Sequence, residues 1–166
     1  RVNHSKLFES LSKTGLPSWL LVILINWYGK LTVAVKWKSA VSNSFGVGCG
    51  VRQGSSLSPS IFNVFMDLFI IKLRALSNGC CVGNHFLGCI LYADDIILLS
   101  ASVSGLQNML NCCSDVSHEL LLSFNCTKSC CFAIGTGSKF TVSDMSLGND
   151  KIAWFNTVKY LGVTFT

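Results

Sequence analysis

Two aspartates sit side by side between two short apolar runs, and this juxtaposition constrains the fold more than any other feature of the chain. Cys89-Ile90-Leu91 precedes Tyr92-Ala93-Asp94-Asp95, and Ile96-Ile97-Leu98-Leu99 follows it. Short apolar runs rich in β-branched residues read as strands, so Phe86 to Ser100 is expected to form a β-hairpin with both carboxylates at its tip. Held between apolar strands, the two anions repel each other and lose water. A divalent cation relieves both problems. Mg²⁺ prefers oxygen ligands and commonly takes one or two carboxylates together with phosphates. Neighbouring residues on a strand point to opposite faces, so only a turn lets both carboxylates approach one ion. Paired aspartates are also ordinary turn formers, and the pair alone leaves both readings open.

Composition narrows the class. Of 166 residues, 50% are hydrophobic and 13% charged, against about 25% charged in an average soluble domain. Such a chain is either a membrane protein or the interior of a larger soluble one. The longest apolar stretches, Leu16 to Tyr28 and Ile61 to Ile71, are broken by Pro17, Ser18 and Asn26 and by Asn63 and Asp67. Neither approaches the roughly 20 apolar residues of a membrane span, which favours the second reading. The chain opens on Arg1 and closes on the strand-like Val163-Thr164-Phe165-Thr166, and the expectation is one piece of a longer protein. Nine cysteines fall below the density of a disulfide scaffold. There is no C-x-x-C, and His4, His85 and His118 add no closely spaced metal-ligand pair. Buried free thiols in a reducing compartment, without disulfide partners, are expected. A net charge of +5 permits a nucleic-acid partner without demanding one.

Along the chain, Leu7, Phe8 and Leu11 mark an amphipathic helix over His4 to Lys13, stopped by Gly15. Pro17 suits the first position of a second helix that runs to about Tyr28 and ends at Gly29. Leu31 to Lys38 alternates apolar and polar residues and reads as a half-buried strand, with a hairpin return over Ser44 to Val47. Gly46 to Ser56 holds four glycines in nine residues, the mark of a loop with unusual backbone angles or close approach to a ligand. Ser58 caps a helix with Pro59 at its first position, burying Ile61, Phe62, Phe65, Met66, Phe69, Ile70 and Leu73. After the aspartate hairpin, Ser104 and Gln107 are spaced as a capping box for a helix carrying Leu106, Met109, Leu110 and Val116. Strands are expected at Ser129 to Ile134, Phe140 to Ser143 and Tyr160 to Phe165. The outline is α+β, an antiparallel sheet covered by helices on one face. Trp19, Trp27, Trp37 and Trp154 read more readily as core than as base-stacking platforms. Asp67 reads as a helix-surface residue.

The company of the aspartate pair decides between its two readings. Tyr92-Ala93-Asp94-Asp95 with its apolar flanks resembles the catalytic hairpin of reverse transcriptases. Upstream, Gly50-Val51-Arg52-Gln53-Gly54-Ser55-Ser56-Leu57-Ser58-Pro59 resembles the family's loop-helix element, with Ile61-Phe62-Asn63 after it. Downstream, Asn125-Cys126-Thr127-Lys128-Ser129 is similar to its N-x-x-K-[TS] element. Lys159-Tyr160-Leu161-Gly162-Val163 resembles the turn that grips the primer, and Arg1-Val2-Asn3-His4 resembles the residues just after the first aspartate motif. The elements stand in the family's order, and their wording favours non-LTR retrotransposons.

The resemblance implies a partial palm over residues 1–166, with the catalytic hairpin near 86–100, primer-grip-like strands near 159–166, and fingers and thumb largely absent. It implies an RNA-directed DNA polymerase that extends a primer 3′ end with deoxynucleotides on an RNA template, served by two Mg²⁺ ions, with Mn²⁺ as a substitute. Asp94 would be the principal metal ligand, with Asp95 beside it. Tyr92 and Ala93 would shape the hairpin near the primer terminus. Gln53 and Gly54 would face the template base and incoming nucleotide, and Arg52 would touch phosphate or stand as a solvated cation. Lys128 would protonate the leaving pyrophosphate or be a solvated strand-edge lysine. Tyr160, Leu161 and Gly162 would support the DNA primer, or alternatively fill sheet core, Leu161 more readily than the others. The implied setting is intracellular, in cytoplasm and nucleus, without a membrane.

Departures from the pattern matter. The family uses a further metal-binding aspartate on a strand, and Arg1 onward holds no equivalent; Glu9 and Asp115 fall on expected helices. Leu121 stands where relatives have a helix-ending glycine, and Ser56 where proline is common. The isolated chain is therefore expected to be inactive, with poor solubility from helix faces such as Leu20, Leu21, Ile23 and Leu24. A non-catalytic remnant or an RNA-binding palm-like scaffold from a decayed element is the competing reading. A group II intron or telomerase-like polymerase shares the superfamily.

Overall fold

A computed structural model describes residues 1–135 and 143–166. The chain divides into two units, one of residues 1–68 and 120–122, the other of residues 69–119 and 123–166.

In the first unit, helix α1 spans His4–Ser12 and helix α2 Ser18–Gly29. The Asn3 side chain caps α1 by accepting from the Lys6 amide at 3.1 Å. Pro17 takes the capping position of α2, with extended ψ 134, one residue earlier than expected. Leu7 and Leu11 of α1 and Leu24 and Tyr28 of α2 are buried, each pair at a helical spacing. The His4 and Phe8 rings meet Tyr28 edge to face at 5.0 and 5.6 Å.

Strands β1 Thr32–Val33, β2 Lys36–Trp37, β3 Ala40–Val41 and β4 Phe45–Gly46 follow. β1 pairs with β4 and β2 with β3, which gives the expected hairpin return. The expected half-buried strand is not observed. It is split after Val33, and both faces are exposed, with Val35 at 57% and Trp37 at 76%. Nothing in this unit lies over either face, so the apolar–polar alternation has no layer to sort against. Trp19 and Trp27 are exposed as well, which overturns the core reading for three of the four tryptophans. The apolar surface of α2 also differs from expectation: Leu24 is buried, while Trp19, Val22, Ile23 and Ile25 are exposed.

Helix α3, Ser58–Ala75, buries Ile61, Phe65 and Met66 in this unit, and Asp67 is exposed as expected. Phe62 and Ile70 are only half-buried.

The second unit takes the rest of α3, where Phe69 and Leu73 are fully buried and Phe69 meets Phe124 edge to face. It continues through β5 Cys81–Val82, β6 His85–Phe86, β7 Cys89–Tyr92 and β8 Asp95–Leu98. Helix α4, Val103–Leu120, is followed by β9 Cys130–Phe132, β10 Met145–Leu147, β11 Asp150–Phe155, β12 Val158–Tyr160 and β13 Val163–Phe165. Met109, Cys113 and Val116 of α4 and Met145, Leu147 and Ile152 of β10 and β11 are buried.

The α+β class holds, but one continuous antiparallel sheet is not what the described residues form. They form five two-stranded sheets and one three-stranded sheet, and within the latter β11 pairs parallel to β9. Two-residue turns close most of these strands after two to four residues. The expected strand at Phe140 to Ser143 falls mostly outside the described residues; Ser143 itself is not in a strand. The expected strand Tyr160 to Phe165 is instead interrupted by a turn.

Capping of α4 also differs. Ser102, not Ser104, accepts from the Gly105 amide at 3.1 Å. Gln107 turns away from the helix end: its amide nitrogen donates to the Ser146 carbonyl at 2.9 Å, and its amide oxygen accepts from the Ser146 amide at 3.0 Å. Thiol burial is uneven. Cys113 and Cys131 are buried, Cys49, Cys81 and Cys130 exposed. Burial pushes Cys113 up to about 12 and Cys89 and Cys131 up to about 11, so none of these three is an active thiolate near neutral pH. No helix among the described residues is long and apolar enough to cross a membrane.

Candidate active site

Strands β7 and β8 pair antiparallel from Cys89↔Leu98 to Tyr92↔Asp95, leaving Ala93 and Asp94 as a two-residue turn. Ala93 has φ +51, and Asp94 is not among the positive-φ residues. This is the sign pattern of a type II′ turn, whose first central position normally holds glycine. The turn puts Asp94 at the tip and Asp95 at the first position of β8, and both are exposed along with Tyr92 and Ala93.

The stem explains why the tip is held. Ile96, Ile97 and Leu98 are half-buried. Beyond them the Leu99 amide donates to the Gly88 carbonyl at 2.8 Å, and the Cys80 amide donates to the Leu99 carbonyl at 2.9 Å. Gly79 and Gly88 then pass in direct contact: a Cβ on Gly88 would lie 2.5 Å from the Gly79 Cα. Only glycine at both positions admits that approach.

Among the described residues, neither aspartate takes part in an ion pair, and no group of three or more His, Cys, Asp or Glu side chains converges. The hairpin therefore offers two hard, unpaired carboxylates and no third. That donor set fits Mg²⁺, which completes its shell with water and phosphate oxygens.

Tyr160 belongs to another hairpin. β12 pairs with β13 through Tyr160↔Val163, so Leu161 and Gly162 form the turn. Their φ values of +47 and +83 are those of a type I′ turn. Leu161 is 55% exposed, so its reading as sheet core fails. Burial raises the Tyr160 phenol above its usual pKa, and the charges of Asp95 and Tyr92 raise it further. The structure thus brings Tyr92, Ala93, Asp94 and Asp95 into one turn.

Lys128 is exposed and ends a turn rather than edging a strand. Asn125 organises that turn: its carbonyl accepts from the Lys128 and Ser129 amides, each at 3.1 Å, and its side-chain oxygen accepts from Thr127 at 2.7 Å. No hydrogen bond or ion pair joins Lys128 to the aspartates among the described residues.

Arg52, Gln53 and Gly54 lie in the first unit, exposed on the glycine-rich loop. The loop is pinned behind them. His4 Nε2 lies 2.8 Å from the Gly50 carbonyl oxygen, the Gly50 amide donates to the Val2 carbonyl at 2.7 Å, and Asn3 bridges Cys49. Gly54 has φ +79 and open space where a side chain would begin, which leaves its backbone accessible to a ligand.

A family model described as reverse transcriptase (RNA-dependent DNA polymerase) matches residues 1–165. The chain belongs to the reverse transcriptase family. Among curated relatives, the retrovirus-related Pol polyprotein from type-2 retrotransposable element R2DM of Drosophila melanogaster is 29% identical over 99% of this chain. The Pol polyprotein from type-1 retrotransposable element R2 of Nasonia vitripennis is 27% identical over 99%. The transposon TX1 149 kDa protein of Xenopus laevis is 25% identical over 98%. The homology is distant and of the non-LTR retrotransposon type. This reverse transcriptase segment spans 16%, 17% and 12% of those relatives, respectively.

Sequence reasoning missed two features of the reverse transcriptase hairpin region that carried a signal. Gly83-Asn84 and Gly148-Asn149 each close a hairpin, β5–β6 and β10–β11, and Gly-Asn between two strand-like runs is a hairpin signature. The Gly79–Gly88 contact carried none, because it pairs residues on two different segments.

Proposed function

We propose that this reverse transcriptase segment carries the metal-binding hairpin of a non-LTR retrotransposon polymerase, which extends a DNA primer 3′ end with deoxynucleoside triphosphates on an RNA template. The observation that carries the reading is the Tyr92–Asp95 turn: two unpaired carboxylates held at an exposed tip by a half-buried stem. Asp94 would be the principal ligand, with Asp95 supporting it from β8. Two Mg²⁺ ions held there, or Mn²⁺ in their place, would activate the primer 3′-oxygen and support the leaving pyrophosphate. Tyr92 and Ala93 would border the primer terminus, and Tyr160, Leu161 and Gly162 would brace the primer strand. Arg52, Gln53 and Gly54 would meet template base, nucleotide and phosphate, and Lys128 would supply the proton to pyrophosphate. With two carboxylates and no third, the isolated chain would not polymerise.

Primer extension on an RNA template by the intact polypeptide tests this. Partners of metal ligands typically cost 10–100-fold when removed, so Asp94→Asn, removing a ligand itself, is expected to lower extension by at least about 100-fold without lowering the melting temperature. Extension by Asp94→Asn at the rate of the parent would sink the reading. A second reading, a non-catalytic RNA-binding remnant, is favoured by Leu121. That leucine ends α4 at φ +55 and 60% exposure, a position suited to glycine. RNA binding without extension by the intact polypeptide would support that reading.

A further inference from the structure

Charge is divided unevenly between the two units. Residues 69–119 and 123–166 carry as many acidic as basic side chains, so the net charge of +5 resides in the first unit. Every charged residue between Glu9 and Asp67 is basic: Lys13, Lys30, Lys36, Lys38 and Arg52. Lys36 and Lys38 flank Trp37, the most exposed tryptophan among the described residues. No ion pair among the described residues involves either lysine.

The hairpin presents this trio at its tip. β2 pairs with β3 through Trp37↔Ala40, so Lys38 and Ser39 close a two-residue turn. Lys38 takes φ +52 there, a conformation normally left to glycine. The cross-strand partner of Trp37 is the small Ala40, which puts no bulk opposite the indole. Below the tip the ribbon is tied by the Ser42 amide donating to the Val35 carbonyl and the Val35 amide donating to the Ser42 hydroxyl oxygen, each at 2.9 Å. Lysines alone would protect such an exposed strand from pairing with another chain; an exposed tryptophan between them works against that protection. An indole face with cations on either side in the chain is instead what a single strand of nucleic acid needs: a base stacks on the ring, and the lysines meet its phosphates.

We propose that the β2–β3 tip binds single-stranded RNA, with Trp37 stacking on a base and Lys36 and Lys38 on the flanking phosphates. This assignment rests on the polymerase reading above, which supplies an RNA template and gives Arg52, Gln53 and Gly54 of the same unit to its recognition. It adds a template contact outside the loop that carries those residues.

The test uses the intact polypeptide and a mixed-sequence single-stranded RNA carrying 5-iodouridine, read by anisotropy and by mapping the photo-crosslinks. A crosslink at Trp37 is expected. Trp37→Ala should abolish it and weaken binding about tenfold, while Trp37→Phe keeps most of the affinity. Lys36→Gln with Lys38→Gln should lower the slope of log affinity against log salt by about 0.7 per lysine. Parent-like affinity in Trp37→Ala, with crosslinks only elsewhere, would overturn the proposal. So would a lowered melting temperature with RNA affinity intact, which would make the tip a docking point for protein. Tighter binding of the same sequence as DNA would overturn it as well. If Trp37→Ala does not fold, the lysine pair decides, and an unchanged salt slope counts against the proposal. Loss of extension in Asp94→Asn together with parent-like RNA binding in Trp37→Ala keeps the polymerase and removes only this contact. Parent-rate extension by Asp94→Asn sinks the polymerase reading whatever Trp37 does.

Discussion

The two hairpins that carry candidate site residues in the second unit solve one problem in opposite ways. Both close with two residues, and both place a non-glycine side chain in the left-handed region, Ala93 at φ +51 and Leu161 at φ +47. The β7–β8 stem has four register pairs and three half-buried residues on β8, and hydrogen bonds through Leu99 tie it to Gly88 and Cys80. The β12–β13 stem has three pairs, and all of β13 is exposed. Its one shielded polar group is the Tyr160 hydroxyl. The first hairpin therefore gets its rigidity from the stem and can spend its tip on two carboxylates. The second gets its geometry from the turn, where Gly162 fits a type I′ position outright.

The largest effect should come from unlocking the first stem. Gly88→Ala puts a Cβ 2.5 Å from backbone at Gly79 and 2.7 Å from the Phe86 ring. Backbone on both sides must move, and overpacking of this kind is expected to destabilise by about 3 kcal/mol in urea unfolding. The same change at Gly162 meets open space and carries only turn strain, so it should cost less. Equal costs at the two glycines would mean that the stem is not what distinguishes the hairpins.

This contrast marks how far sequence reading reaches. The Phe86 to Ser100 hairpin, the turn over the aspartates and the existence of four helices, the first two to within a residue or so of their ends, were all legible, because each rests on local pattern. Leu121 was legible as a residue out of place, and the structure shows why: it holds φ +55 at the end of α4. What pattern cannot express is pairing between distant segments. The Gly79–Gly88 contact, the Gln107 clasp on Ser146 and the parallel match of β9 with β11 each join residues whose local sequence gives no hint of the partner. The exposed alternation of Leu31 to Lys38 fails for the converse reason. A period of two states that one face could be buried, and burial depends on a layer that local sequence does not name. The same holds at the site: the place of Asp94 and Asp95 at a hairpin tip was legible from local pattern, while the unpartnered Tyr160 hydroxyl required three dimensions.

Relieving the second turn gives an intermediate effect. A left-handed conformation costs a non-glycine residue roughly 1–2 kcal/mol, and Asn-Gly is the preferred pair for a type I′ turn. Leu161→Asn creates that pair and removes a side chain that is 55% exposed. It is expected to stabilise the chain by about 1 kcal/mol, read as a shift in the urea midpoint without a change in slope. A loss of stability would mean that Leu161 makes contacts its exposure does not reveal, and that this hairpin also depends on more than its turn.

The smallest effect on stability, and the most telling for the comparison, belongs to Ala93→Gly. The relief of left-handed strain, about 1 kcal/mol for a small side chain, is offset by the roughly 0.5–1 kcal/mol of chain entropy that glycine gives up on folding. The net gain in stability should be about 0.5 kcal/mol or less. Activity of the intact polymerase should move the other way. Ala93 is the only residue between the paired Tyr92 and the Asp94 tip, and a glycine there widens the backbone angles open to that tip. Loosely held ligands lose the orientation that catalysis depends on. Primer extension is therefore expected to fall several-fold while the melting temperature holds or rises slightly. Should extension and stability rise together, the strain at Ala93 would be a by-product of closing a short hairpin. The rigidity of the carboxylates would then belong entirely to the stem below them.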